Sequence, residues 1–245
     1  MKSKQIFFSI ITPVLNNPEI ENVFNCLKKQ SYKNFEHIVI DGGSKKKILK
    51  IIKKNKKNIS KLIIEKDNGI YDAINKGIKL SKGKVIGILN SDDIYYPKTL
   101  KLVHNYFNKK KIDYMFGSVL KNRLMHDFQP HKIWYKFNVY PSHSCGFFVK
   151  RSVHKTLGLY DTKFKYSSDR DFIYRLVKTN FKGISSKKYE IFGKFNPHGT
   201  SSKLSYFRTL LEEFNIRLKN QNLLVVLIIF FITLTNKLYN LLLKK

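Results

Sequence analysis

Several short runs place carboxylates and amides where an apolar run ends. Val85 to Leu89 gives way at once to Asn90-Ser91-Asp92-Asp93, and two adjacent carboxylates repel unless a cation or hydrogen-bond donors satisfy them. Hard divalent ions such as Mg²⁺ or Mn²⁺ take oxygen ligands and bridge to substrate phosphates, so Asp92 and Asp93 suit a metal facing a diphosphate. Either could equally cap the turn ahead of Pro97 by accepting backbone N–H bonds. A second acidic run, Ser168-Asp169-Arg170-Asp171, opens a segment of helical character reaching Lys178. At about 100° per residue, Asp169 shares a face with Phe172, Ile173 and Leu176, while Asp171 is expected on the opposite side. An inward carboxylate at a helix start is either a cap favoured by the dipole or a group held in a cleft for proton transfer.

Two further runs have the same polar character. Ile40 is followed by Asp41-Gly42-Gly43-Ser44, a turn at the end of an apolar run, and Glu65-Lys66-Asp67-Asn68-Gly69-Ile70-Tyr71-Asp72-Ala73-Ile74-Asn75-Lys76-Gly77 leads from another such run into a helix. In that helix Ile70, Ala73, Ile74 and Gly77 form the stripe expected on a sheet, leaving Asp72 and Asn75 for solvent or a ligand. Neither a P-loop nor a G-x-G-x-x-G is present, which argues against an NTPase or a dinucleotide enzyme.

The elements that must carry these residues follow an alternating plan. Runs rich in Ile, Val and Phe at 6–14, 35–40, 61–65 and 84–89 are separated by segments long enough for helices, which predicts an α/β fold with a mostly parallel, Rossmann-like sheet flanked by helices. Ligands of such sheets bind beyond the carboxyl ends of the strands, where the polar runs fall. Asn17 is placed to cap a first helix with Pro18 at its first position and Val23, Phe24 and Leu27 inward. Residues 45–61 carry nine Lys interleaved with Ile and Leu, an amphipathic outer helix. Segments 112–119, 142–150 and 187–192 complete the domain as strands, and the catalytic body is expected to span residues 1–202, with a helical tail at 203–245.

The 245 residues, 42% of them hydrophobic, suffice for one such domain. Lys and Arg total 47 against 17 Asp and Glu, a net charge of +30, which attracts polyanions: nucleic acid, anionic lipid or phosphorylated substrates. A Lys-rich genome bias accounts for the same numbers. The two cysteines, Cys26 and Cys145, form neither a zinc motif nor a disulfide framework. The first apolar run is short and reads as a strand rather than a signal peptide, so a cytoplasmic catalytic domain is expected.

Taken together in their order, Ser9-Ile10-Ile11-Thr12-Pro13-Val14-Leu15-Asn16, Ile40 to Ser44, Asp67 to Ile78, Asn90 to Asp93, His143 to Arg151, Gly158-Leu159-Tyr160-Asp161 and Ser168 to Phe172 resemble the family 2 glycosyltransferases of GT-A fold, of the group that often builds bacterial surface polysaccharides. The resemblance covers about residues 6–200. It implies an inverting enzyme that moves a hexose or N-acetylhexosamine from a nucleoside-diphosphate sugar, a UDP-sugar foremost, to a glycan or polyprenyl-phosphate-linked acceptor, with Mn²⁺ or Mg²⁺ as cofactor. Its residues map onto Thr12, Pro13, Asn16, Asp41, Gly43, Ser44, Asp67, Asp72, Asn75, Lys76, Asn90, Ser91 and His143 for the nucleotide sugar, Asp92 and Asp93 for the metal, and Asp169 as catalytic base. Asn90 stands where the family's Asp-x-Asp has its first Asp, and Ile74 where many relatives have an arginine. His143 either meets the donor or acceptor or is a structural histidine in a turn.

Residues 220–236 carry no charge and would run roughly 25 Å as a helix, just short of a hydrocarbon core. The tail therefore crosses a membrane, lies on its inner face with lysines at anionic headgroups, or packs in a homo-oligomer or on the domain. Two rival readings stand beside the enzyme: a basic nucleic-acid-binding protein, for which no recognition motif is present, and an inactive GT-A domain that only binds sugar nucleotides.

Overall fold

In the computed structural model, which describes residues 5–135, 144–197 and 206–242, β1 (Phe8–Val14), β2 (Phe35–Asp41), β3 (Lys61–Ile64) and β4 (Val85–Ile88) form where the apolar runs predict them. β1 lies between β2 and β4, and β3 follows β2, all parallel. Every residue of β1 is buried, because helices cover both sheet faces and alternate side chains supply two cores. Phe8, Ile10 and Val14 join one cluster with Val23 and Phe24 of α1 (Ile20–Lys28), Ile48 and Ile52 of α2 (Lys46–Lys54), and Leu100 and Val103 of α4 (Thr99–Lys109). Ile11, Ile38 and Ile40 join the other with Ala73, Ile74 and Ile78 of α3 (Ile70–Leu80). Each such side chain removed from water contributes about 1.5–3 kcal/mol.

The sheet is continued by β9 (Phe147–Lys150), β6 (Tyr114–Phe116) and β10 (Gly183–Ser185), in the order β10-β6-β9-β4-β1-β2-β3. β9 is antiparallel to both β4 and β6, so its beginning lies at the carboxyl end of β4. A smaller sheet of β5 (Ile94–Tyr95), β11 (Ile191–Lys194), β7 (Ser118–Leu120) and β8 (Leu124–Met125) sits beside it. α5 (Arg151–Leu157) and α6 (Ser168–Val177) follow β9, and α7 (Tyr206–Asn220) and α8 (Leu223–Leu242) form the tail.

The expected mostly parallel sheet and helical tail are observed, with local differences. The helix expected from Asn17 starts at Ile20, because Asn17 Oδ1 accepts the Glu19 N–H at 3.0 Å and holds Pro18 and Glu19 in a turn. The basic helix ends at Lys54 and passes into a 3₁₀ turn, Lys56–Asn58. Segment 112–119 divides between two sheets, and the strand expected at 187–192 begins at Ile191. Ile70, expected against the sheet, is exposed.

The expected 202/203 boundary lies outside the described residues, and α7 beyond it is tied into the body. Glu213 pairs with Arg170 at 2.8 Å and Arg217 at 2.9 Å, and Lys219 Nζ lies 2.9 Å from both Asp161 and Asp171. α8 instead leaves Leu224, Leu227, Ile228, Phe231 and Ile232 exposed, burying Val226 and Ile229. Among the described residues no helix is long and apolar enough to cross a membrane.

Candidate active site

Four parallel strands ending on one edge bring the segments after them together. Gly42 N–H donates to Val14 O at 2.9 Å, Glu65 N–H to Asp41 O at 3.0 Å and Leu89 N–H to Ile11 O at 2.9 Å, so each segment starts by extending its neighbour's ladder. Asn16, held at φ 54°, then closes the first segment on the second: its N–H donates to Ser44 Oγ and its Oδ1 accepts the Lys45 N–H, both at 2.8 Å. Gly43 has φ 95°, a conformation glycine adopts without a steric cost. A Cβ at Gly42 would come 2.3 Å from Asp67 Oδ2, so the bare glycine is what admits the Asp67 carboxylate beside the β2 turn.

Asp41 is buried at the centre of this edge. Its Oδ1 accepts the N–H groups of Gly43 at 3.0 Å and Ser44 at 2.8 Å, while Oδ2 is buried without a hydrogen-bond partner. A buried acceptor left unmatched costs about 1–3 kcal/mol, and a ligand N–H would relieve it. Thr12 and Pro13, expected among the nucleotide-sugar contacts, are buried strand residues below the edge, and Thr12 Oγ1 is 2.9 Å from His37 Nε2. Burial holds His37 neutral, with its pKa lowered to about 4.

On the third segment, Asp67 Oδ1 accepts the Gly69 N–H at 3.0 Å. The Asn68 N–H, 3.0 Å from Asp72 Oδ2, and Lys76 hold the Asp72 carboxyl below its usual range. Lys76 itself bridges Glu65 at 2.9 Å and Asp72 at 3.3 Å. Asn75, expected on an open face, is buried: its Nδ2 donates to Tyr160 O at 2.9 Å and its Oδ1 accepts the Tyr160 N–H at 3.0 Å. The amide thus fastens α3 to the segment before α6, and the sequence shows no sign of that partner.

The turn after β4 divides its two carboxylates. Asp93 is buried, its Oδ2 accepting Ser144 Oγ–H at 2.6 Å and its Oδ1 the Asn196 N–H at 3.0 Å. Burial pushes its carboxyl up to about 7. Asp92 is half-buried, and burial, with the Glu19 carboxylate nearby, raises its carboxyl as well. Asn90 donates its backbone N–H to Ser144 Oγ at 3.1 Å, but its side-chain Oδ1 is buried without a partner; Ser91 beside it is buried. Among the described residues no group of three or more His, Cys, Asp or Glu side chains is arranged to hold a metal. The oxygens suited to a hard cation are therefore Asp92 and the unmatched amide oxygen of Asn90, a set completed by ligand or water oxygens. Asp93, expected beside Asp92 as a ligand, has both oxygens committed to protein donors.

α6 reaches this edge because Phe172, one turn beyond Asp169, packs on Phe147 at the start of β9 with ring centroids 6.4 Å apart. Asp169 is half-buried and accepts the Tyr71 hydroxyl at 2.8 Å. Asp171, expected to face away from the core, is fully buried: α7 covers that side of α6, and the carboxylate meets Arg175 Nε and Lys219 Nζ, each at 2.9 Å. His143 lies outside the described residues. Glu19, Tyr71, Ser144 and Asn196 belong to the site by contact; Tyr71 and Ser144 lie within the motifs quoted from the sequence without being assigned a role there, and Glu19 and Asn196 lie outside them.

A family model described as glycosyl transferase family 2 matches residues 9–214. A glycosyltransferase of Methanocaldococcus jannaschii is 29% identical over 195 residues, 71% of this chain and 66% of the relative. One of Rickettsia typhi is 28% identical over 188 residues, 70% of this chain and 59% of the relative; the chain thus spans less than two thirds of the length of these relatives. A PGL/p-HBAD biosynthesis glycosyltransferase of Mycobacterium tuberculosis is 27% identical over 201 residues, 76% of this chain and 77% of that protein. Among solved structures, Staphylococcus aureus TarS superimposes with a TM-score of 0.68 at 17% identity, covering 87% of this chain and 39% of TarS; a shorter form in complex with UDP-GlcNAc gives 0.64 at 17%, covering 85% of this chain and 66% of that one. The mannosyltransferase PcManGT of Pyrobaculum calidifontis, in complex with GDP-Man and Mn²⁺, gives 0.66 at 15%, covering 90% and 66%. The motif order read from the sequence, the GT-A sheet and these matches agree that the chain belongs to glycosyl transferase family 2.

Proposed function

We propose that this chain is an inverting glycosyltransferase that moves a hexose or N-acetylhexosamine from a nucleoside-diphosphate sugar, a UDP-sugar foremost, to a hydroxyl of a glycan or lipid-linked acceptor in surface polysaccharide synthesis. The observation carrying this reading is that two half-buried carboxylates, Asp92 and Asp169, come from distant elements to one sheet edge, each beside a second carboxylate that the protein keeps satisfied. The unmatched Asp41 Oδ2 offers an acceptor to a base N–H, and Asn16, Gly43, Ser44 and Asp67 lie in the turns beside it. Asp169 takes the proton of the acceptor hydroxyl while that oxygen bonds to C1 and the C1–phosphate bond breaks on the opposite face, which inverts the centre. Asp92 and Asn90 would hold Mn²⁺ or Mg²⁺, and such an ion neutralises charge on the departing nucleoside diphosphate. The solved relatives bound to UDP-GlcNAc and to GDP-Man with Mn²⁺ support this choice of donor and ion.

The exposed Leu224, Leu227, Ile228, Phe231 and Ile232 of α8, with a net charge of +30, support peripheral attachment to the anionic inner face of the cell membrane, where a polyprenyl-phosphate-linked acceptor resides. Flotation with phosphatidylglycerol vesicles tests this; binding unaffected by Ile228→Glu with Phe231→Glu refutes it.

Nucleoside diphosphate release from UDP-GlcNAc, UDP-Glc, UDP-Gal and GDP-Man with Mn²⁺ tests the enzymatic reading. One donor is expected to turn over, with activity lost on chelation. Absence of release from every donor, or release unchanged by chelation, overturns it.

A further inference from the structure

We propose that Tyr71 is a positioning residue for Asp169, linking the base to the donor-side segment after β3; the proposal rests on the reading of Asp169 as base. Tyr71 lies in the first turn of α3 and is buried, its ring 5.5 Å from that of Tyr160. Its hydroxyl is 2.8 Å from Asp169 Oδ1 and 3.3 Å from Tyr166 O. A phenol has one proton to donate, and the closer, charged acceptor takes it. The Tyr71 hydroxyl therefore fixes the carboxylate from an element 98 positions away in sequence.

The segment entering α6 is held from its other side too. Glu212 of α7 accepts the N–H of Lys165 at 2.8 Å through Oε1 and that of Tyr166 at 3.0 Å through Oε2. α7 thus grips the amides while Tyr71 meets the carboxylate and a carbonyl. Tyr71 also follows directly on the Asp67-Asn68-Gly69 turn, which lies against Gly42 of the β2 segment. Any displacement of this turn, as when a donor settles there, moves the hydroxyl that fixes Asp169. Without that hydroxyl the carboxylate loses one of its restraints, and the fraction aligned for proton transfer falls.

Two measurements on the full chain test this, with Tyr71→Phe retaining the ring that packs on Tyr160. In urea unfolding, Tyr71→Phe, Asp169→Ala and the double variant form a cycle. The cost of Tyr71→Phe is expected to shrink on the Ala background, where Tyr166 O is still in reach of the hydroxyl, and an equal cost in both backgrounds overturns the proposal whatever the donor. In nucleoside diphosphate release from UDP-GlcNAc, UDP-Glc, UDP-Gal and GDP-Man with Mn²⁺, Tyr71→Phe is expected to lower kcat about tenfold to a hundredfold. Donor KM stays unchanged, so the loss falls on kcat alone. Wild-type kcat in Tyr71→Phe, or a loss that falls on donor KM instead, with Asp169→Ala inactive, overturns this proposal alone. Full activity in Asp169→Ala overturns the base reading and the proposal with it.

Discussion

The turn after β4 and the first turn of α6 each present two carboxylates, and each buries one while leaving the other half-exposed at the sheet edge. They differ in what surrounds the buried member. Asp171 meets Arg175 and Lys219, so its charge is matched within the protein. Among the described residues Asp93 meets only neutral donors, Ser144 Oγ–H and the Asn196 N–H, and burial pushes it up to about 7. With Glu19 and Asp92 close by, the β4 turn gathers like charges, whereas the buried carboxylate of α6 is neutralised by Arg175 and Lys219. Two similar acidic motifs thus acquire different chemistry from partners remote in sequence.

Substitutions can break this contrast in order of size. Asp92→Asn should cut turnover about 10²–10³-fold, since a metal contributes several kcal/mol to leaving-group stabilisation; added Mn²⁺ should restore part of the loss, and wild-type metal dependence would contradict the assignment. Asp171→Asn should cost about 3 kcal/mol in urea unfolding, because it strips a buried charge from its cations. His37, below the donor edge, extends the contrast to a buried base with a neutral partner. Its pKa lies near 4 in the folded chain against about 6.5 unfolded, so between those values the unfolded state binds the extra proton and stability falls as pH falls. The loss should be on the order of 3 kcal/mol from pH 6.5 to 4, and should disappear in His37→Gln. Asp93→Asn should cost least, about 1 kcal/mol, since its carboxyl titrates near neutrality and no cation is stranded.

The edge formed after β1, β2 and β4 was largely legible because its signals are local. Unbroken Ile and Val runs set β1, β2 and β4, and the polar residues after them could only fall at the strands' carboxyl ends. Asn75 and Asp171 were misjudged for one reason: a helical wheel offers a sheet side and a solvent side, but Asn75 meets the Tyr160 backbone and Asp171 is covered by α7. The smaller sheet has strands of only two to four residues, too short for a period to register. The Tyr71–Asp169 contact joins two motifs whose meeting depends on β9 running antiparallel to β4, and no residue pattern announces that reversal.

On the proposed reading Asp169 acts in the reaction, while its neighbour Asp171 holds the helix in place through Arg175 and Lys219. Nucleoside diphosphate release per folded molecule, measured side by side for Asp169→Asn and Asp171→Asn with Mn²⁺ and the preferred donor, addresses it directly. Asp169→Asn is predicted to lose about 10²–10⁴-fold in turnover at nearly unchanged stability, and Asp171→Asn to lose stability while each folded molecule turns over normally. An active Asp169→Asn beside an inactive, folded Asp171→Asn would contradict the account.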